Sequence, residues 1–408
     1  MKLYIPWPVW VTHNMKKRFP QGTLALTLLF LLIEFFDEFH YGVESAALPA
    51  LRDALNLDYT QIGLLLGLPG VLNTFIEPVL MLLGDTPLRK WLVLGGGLTI
   101  AAGTLLVASG PSFPVLLLAF CVLYPASGAF VTLSQATLMD LHPGRRAPMM
   151  ARWTVFGSAG NLLGPLAVAG MFALGGGWQS AYLLVALLAL GLALPAALAR
   201  FPQPHTEGAP VAFSLTAHLK PVLAGLVEAA RDLRLMRWFV LLDFSDLLLD
   251  VYVSYVALYY ADVMGLSPAQ VSLMLALLMA VGLANTLLLV PLLERFPGRR
   301  LVRITSAAAA VLYAAFLLAP WPGVKLALSL GVRFAGLGWY EVLQAEAYGA
   351  LPGRSGVVMA LSSLMGLLGG AMVWFVGWFA GQSGLQAAMW LLLAGPLVVL
   401  AGLPRGDR

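Results

Sequence analysis

Apolar stretches of about 20 residues or more, the length that a roughly 30 Å hydrocarbon core demands of a helix, recur from one end of this sequence to the other. There are twelve, six before Phe201 and six after Met236. With 408 residues, 60% of them hydrophobic, 11% charged and a mean hydropathy of +0.85, the chain is too apolar for a soluble protein of its size. Lipid offers no partner to a free backbone N–H or C=O, so each stretch is predicted to be a helix. The fold class that follows is an all-α membrane protein of twelve transmembrane helices. The single cysteine, Cys121, rules out an intramolecular disulfide and a cysteine-based metal cluster. No cleavable signal is visible, because the first apolar stretch is too long and carries acids.

Charge orients the chain. The net charge of +4 is no sign of nucleic acid, since the basic residues sit in short loops between apolar stretches. With the N-terminus in the cytoplasm, all but three of the 24 Lys and Arg residues fall on the cytoplasmic side, the exceptions being Arg52, Lys325 and Arg333. Four regions are predicted: a cytoplasmic leader (1–22), a six-helix bundle (23–200), a cytoplasmic linker (201–236) and a second six-helix bundle (237–408). The setting is the inner or plasma membrane, with both termini cytoplasmic.

Acids interrupt the pattern. Glu34, Asp37, Glu38 and Glu44 lie in the first apolar stretch, and Asp243, Asp246 and Asp250 in the seventh. An ionisable group at membrane depth costs roughly 2.5–3.5 kcal/mol on insertion scales, and such groups usually face a wet cavity. Glu34 and Asp37 match Asp243 and Asp246 at an offset of 209 residues. The same offset pairs Asp53 with Asp262, Gln61 with Gln270, Asp85 with Glu294, Gln135 with Gln344, Pro143-Gly144-Arg145 with Pro352-Gly353-Arg354, Gly157 with Gly366 and Gly160 with Gly369. Apolar matches are cheap in Leu-rich helices, whereas polar and loop matches at one offset are not. The halves are therefore one duplicated unit.

Two parallel six-helix repeats joined by a cytoplasmic linker resemble the major facilitator superfamily, whose members bind substrate near the midplane between the halves. The family's loop signature after the second helix is similar to Asp85-Thr86-Pro87-Leu88-Arg89-Lys90 and, in the second half, to Glu294 through Arg300; both copies depart from it, the first lacking its glycines. The resemblance implies that Asp85, Arg89, Glu294 and Arg299 latch the cytoplasmic ends of the halves. Gly160 with Gly164-Pro165 in the fifth stretch resembles the core of the helix-5 motif of drug and proton antiporters. Those small residues equally suit close helix packing. Leu57 through Gly63, Pro78 and Gly160 through Leu166 resemble fosmidomycin-resistance-type exporters, which favours efflux.

Helical spacing puts Glu34, Asp37, Glu38 and Tyr41 on one stripe and Asp243, Asp246 and Asp250 on another. Crowded, desolvated carboxylates are relieved by taking up a proton, which is what proton coupling requires. Asp37 and Asp246 are the first candidates, Glu34 and Asp243 the next. Cavity candidates are Glu38, His40, Tyr41, Asp250, Gln135, Arg333, Trp339, Glu341 and Gln344, together with the aromatics Tyr340, Tyr124, Phe130, Tyr252 and Tyr255. Glu77 lies close enough to the cytoplasmic end of its helix to snorkel for a short way only and is read as either a gate or a functional residue, and Arg152 as snorkelling or meeting Asp140. Arg333 needs an acid, with Glu341 or Glu346 nearest in sequence, or an anionic substrate. No nucleophile–base pair, HExxH motif or phosphate loop is present, so no enzyme and no cofactor are expected. The expected function is proton-coupled transport of a small molecule by a monomer in the bilayer, with H⁺ rather than Na⁺ as the coupling ion and efflux of amphipathic or cationic compounds as the direction. The alternatives are a divalent-metal exporter built on Asp37, Glu38, His40 and Glu44, or a lipid-acting membrane enzyme.

Overall fold

The computed structural model describes residues 21–84, 86–201, 232–350 and 355–404. Asp85 and nearly all of the leader and linker lie outside the described residues. Twelve helical rods make up the rest, with no strand among the described residues. They are α1 (Gln21–Leu55), α2 (Tyr59–Gly84), α3 (Arg89–Ala108), α4 (Phe113–Ser127, through the π-helical turn Gly128–Thr132 into Leu133–Leu141), α5 (Arg146–Ala173) and α6 (Trp178–Leu198). The second half has α7 (Leu233–Asp246, the π-helical turn Leu247–Val251, then Tyr252–Asp262), α8 (Pro268–Leu293), α9 (Gly298–Leu318), α10 (Pro322–Ala335 and Trp339–Ala350), α11 (Ser355–Ser383) and α12 (Leu385–Met389 through Ala394–Gly402). Ten of these are long and apolar enough to cross a membrane. The other two, α1 and α7, are those whose hydropathy the acids lower.

The duplication is visible in the backbone. Asp58 and Gln61 form a reciprocal cap at the start of α2, Gln61 N donating to Asp58 Oδ1 at 2.7 Å and Asp58 N to Gln61 Oε1 at 3.0 Å. Ser267 and Gln270, each 209 residues later, repeat it at the start of α8, with Ser267 N donating to Gln270 Oε1 at 2.9 Å. Such a box satisfies helix N–H groups that have no partner within the helix. The turns agree as well. Asn56 and Gly265, another pair at that offset, both take the left-handed conformation, with φ of 51° and 68°.

Within the first half, α1 and α5 approach at backbone distance. A Cβ on Gly164 would stand 2.5 Å from Phe39 O, one on Gly42 2.7 Å from Pro165 Cδ, and one on Gly160 would collide with Phe35 O. Gly160, Gly164 and Pro165 thus have a packing role here: they let α5 seat on α1 and fix the rotation at which α1 presents its acids. Between the halves, α2 packs on α11, α5 on α8 and α1 on α7. At the α2–α11 seam a Cβ on Gly63 would lie 2.9 Å from Gly377 Cα.

Gly160→Ala is expected to lower stability by about 1–3 kcal/mol, the usual cost of overpacking, and Gly160→Leu to abolish the monodisperse folded species. Thermal melting and size-exclusion profiles of the detergent-solubilised variants read both.

Candidate functional site

The rotation of α1 set by α5 brings its acids to a cavity of about 540 Å³. Asp37, Glu38, His40, Tyr41 and Glu44 of α1 line it, with Asn73 and Glu77 of α2, Tyr124, Ser127 and Thr132 of α4, Asn161 of α5 and Asp250 of α7. Three carboxylates are held by neutral donors. Ser127 Oγ donates to Asp37 Oδ1 at 2.6 Å, Asn161 Nδ2 to Glu38 Oε2 at 2.8 Å and Asn73 Nδ2 to Glu77 Oε2 at 2.9 Å. Among the described residues no Lys or Arg lines this cavity. His40 is buried with its Nε2 unpartnered, its ring stacked on Phe36.

A second cavity of about 420 Å³ lies in the other half. Asp246, Leu249 and Asp250 of α7 line it, with Gly282, Asn285 and Thr286 of α8 and Arg333, Tyr340 and Glu341 of α10. Asp250 lines both cavities. It stands in the π-helical turn of α7, where the added residue shifts the side chains that follow relative to a regular helix; such turns are frequent at functional sites. Its partner at the 209-residue offset is Tyr41, which also lines the first cavity, so the internal symmetry brings the two together at the boundary between halves.

Several sequence expectations are corrected. Glu34 and Asp243 are not on either cavity wall. Glu34 packs on α5, where a Cβ on Gly157 would stand 2.5 Å from its Oε1, and Asp243 lies against α11 beside Gly369. The acidic stripes are wide enough that one edge of each turns into its own half. Trp339 is fully buried and donates from Nε1 to Thr305 Oγ1 at 2.9 Å, so it is core. Tyr252, Tyr255 and Phe130 are also fully buried; of that aromatic set Tyr124 lines the first cavity and Tyr340 the second. Gln135 and Gln344 are partly buried and outside both linings. Glu77 lines the first cavity and accepts from Asn73.

The ion pairs are redistributed. Arg89 donates to Asp140 Oδ2 at 2.6 Å and to Gly84 O at 2.6 Å, tying α3 to α4. Arg299 meets Glu346 at 2.5 Å and its guanidinium sits over the Trp238 ring, tying α9 to α10 and α7. Each of these contacts is made within one half. Glu294 is exposed in the turn after α8, and Asp85 lies outside the described residues. Asp140 being engaged by Arg89, Arg152 turns to Met149 Sδ at 3.6 Å. Glu346 being engaged by Arg299, it does not neutralise Arg333, and Arg333 has no acid within ion-pair distance among the described residues. Arg333 Nη1 donates instead to Leu249 O at 2.8 Å.

A charged link between halves does occur, at the end of the bundle away from both chain ends. The Arg52 guanidinium bridges Asp53 and Asp262, which the offset of 209 pairs, reaching Asp262 Oδ1 at 2.6 Å. Tyr59 donates to Asp262 Oδ2 at 2.6 Å. Together with the glycine seam of α2 and α11, this clamp closes that end.

Asn73, Ser127, Asn161, Asn285 and Thr286 were missed. The available signal was a lone amide in an apolar helix, and Asn73 with Glu77 at i and i+4. None of them is matched 209 residues away, so the duplication carries no signal for them.

An all-helical membrane bundle with polar cavities at the meeting of two repeats is a transporter architecture. The family model for the Major Facilitator Superfamily matches residues 30–373, and the chain belongs to that superfamily. It is 30% identical over 333 residues to the transcription regulatory protein OpdE of Pseudomonas aeruginosa, covering 76% of this chain and 77% of that one. It is 26% identical over 356 residues to the fosmidomycin resistance protein of Escherichia coli, covering 86% and 81%. In fold it matches the crystal structure of the nucleoside transporter NupG, with a TM-score of 0.73 at 15% identity over 94% of this chain and 98% of that one. The protein is thus a multi-pass membrane transporter, not an enzyme.

Arg52→Gln or Asp262→Asn is expected to lower the ratio of closed to open molecules at this end by about tenfold, the effect of roughly 1.4 kcal/mol. Spin-label distances between Asp58→Cys and Ser267→Cys in a Cys121→Ser background would show a longer component. An unchanged distribution would mean that helix packing alone holds the seam.

Proposed function

We propose that this chain is a proton-coupled secondary transporter that exports small amphipathic compounds, cationic or hydrogen-bond-donating in part, across the inner or plasma membrane, with both termini in the cytoplasm. The observation that carries the reading is the first cavity. Four carboxylates of the first half and Asp250 of the second share it without a cation, and three of them are held by uncharged Ser and Asn donors. Carboxylates held this way can gain or lose a proton without breaking an ion pair, which suits them to bind a proton on one side and release it on the other. A cationic or donor-rich cargo competes for the same oxygens, so proton and cargo exclude one another. That exclusion is the logic of antiport.

The bundle closed at the Arg52–Asp262 end then corresponds to a state facing the cytoplasm, in which cargo would load. Resistance is what export confers, so the name of the Escherichia coli relative supports the outward direction. The basic loops favour cytoplasmic termini, and the six-plus-six division with its linker at 201–236 is retained as the domain reading. Divalent-metal export is less well supported. Asp37, Glu38, His40 and Glu44 all reach the cavity, yet among the described residues no three His, Cys, Asp or Glu side chains converge closely enough to hold a metal.

Reconstituted into proteoliposomes with a trapped pH dye, the wild-type chain is expected to acidify or alkalinise the lumen when a transported compound is added under a gradient. Asp37→Asn and Asp246→Asn are each expected to lower that proton flux by about tenfold or more. Undiminished flux in both would refute the assignment.

A further inference from the structure

We infer that Arg333 is the receptor for an anionic group of the cargo, and that the cargo is dipolar, its anionic end held at Arg333 and its cationic or donor end among the carboxylates around Asp250. The inference rests on the two cavities being one transport site. The guanidinium lies on the wall of the second cavity, has no acid within ion-pair distance among the described residues, and keeps its Nε buried without a partner. Its one anchor is Nη1 on Leu249 O, at the π-helical turn of α7.

A guanidinium with a buried, unpartnered Nε gains a charge-assisted hydrogen bond when an anion arrives. The space for one is built in. A Cβ on Gly282 would stand 3.1 Å from Arg333 Nη2, so only glycine leaves that face of the fork uncrowded. Asn285 holds the α10 backbone beside Arg333, donating from Nδ2 to Arg333 O at 3.0 Å and Phe334 O at 3.2 Å, which fixes the arginine's position. A planar fork of donors held in this way suits a carboxylate, sulfonate or phosphonate.

The acids decide the rest. Asp246, Asp250 and Glu341 share the second cavity with Arg333. A cargo bearing only negative charge would meet them and be repelled, while one bearing only positive charge would leave the guanidinium unmet. Asp250 stands where the cavities join, so it meets the middle or the cationic end of a molecule that spans both.

Three probes of one length separate these cases: 6-aminohexanoate, hexanoate and hexylammonium, titrated into the purified full-length protein in nanodiscs, with binding read by thermal stabilisation and by calorimetry. The expected result is that 6-aminohexanoate binds more tightly than either singly charged probe. Arg333→Gln should lose that preference, falling by about tenfold or more, as expected for the loss of a charge-assisted hydrogen bond, while hexylammonium binding is unchanged. Arg333→Lys should retain part of it. If Arg333→Gln does not fold, Gly282→Ala, which crowds the guanidinium, should weaken 6-aminohexanoate selectively. Equal binding of 6-aminohexanoate and hexylammonium, undiminished preference in the variants, or no binding of any probe would overturn the inference. Proton flux in the proteoliposome assay is read independently, so failure of the transport reading would show there and not in the Arg333 series.

Discussion

The structure depends on accommodating carboxylates where the solvent is hydrocarbon. Each has to be desolvated, and three of them find neutral donors. Asp37, Glu38 and Glu77 accept from Ser127, Asn161 and Asn73, which come from α4, α5 and α2. Because the donors are neutral, the acids are satisfied without being fixed as anions. Asp140 and Glu346, by contrast, meet arginines, Arg89 and Arg299.

That arrangement needs α1 to hold one rotation. Gly160 and Gly164 of α5 secure it by admitting the α1 backbone at Phe35 and Phe39, so that side chains one face away, at Asp37, Glu38 and Tyr41, are presented to the cavity. Helices in lipid gain little from apolar burial against one another, and close packing of small residues replaces it. The α2–α11 seam uses the same device between halves, where Gly63 meets Gly377 and Gly67 meets Gly370. A glycine contact has no interlocking side chains to disengage.

Much of this was legible in the residues. Length and hydropathy gave the helices, and the offset of 209 gave the duplication, the pairing of Asp37 with Asp246, and the link between Asp53 and Asp262 that Arg52 turns out to bridge. The capping pairs Asp58–Gln61 and Ser267–Gln270 were readable as local chemistry. The failures have a common origin. Gln135 and Gln344 matched across the repeat but do not line a cavity, and Asn73, Asn161 and Asn285 did not match but do line one. Matching records what both halves inherited, whereas the cavities are asymmetric: the first is acidic and the second carries a guanidinium.

The sequence by itself determined that the chain is a duplicated helical membrane protein with ionisable residues at depth, because helix length, hydropathy and repeat are properties of residue order alone. Only the tertiary structure decided which face of each helix is wet. The acidic stripe of α1 spans more than one face, and the packing of α5 decides that Asp37 and Glu38 enter the cavity while Glu34 meets Gly157. The state of Arg333 was likewise settled in space, since the acids nearest in sequence, Glu341 and Glu346, do not pair with it; Glu346 is engaged by Arg299 and Glu341 lines the cavity without closing on the guanidinium. Charge pairing follows distance in three dimensions, and helices that cross at mid-membrane bring together residues whose separation along the chain carries no information about it.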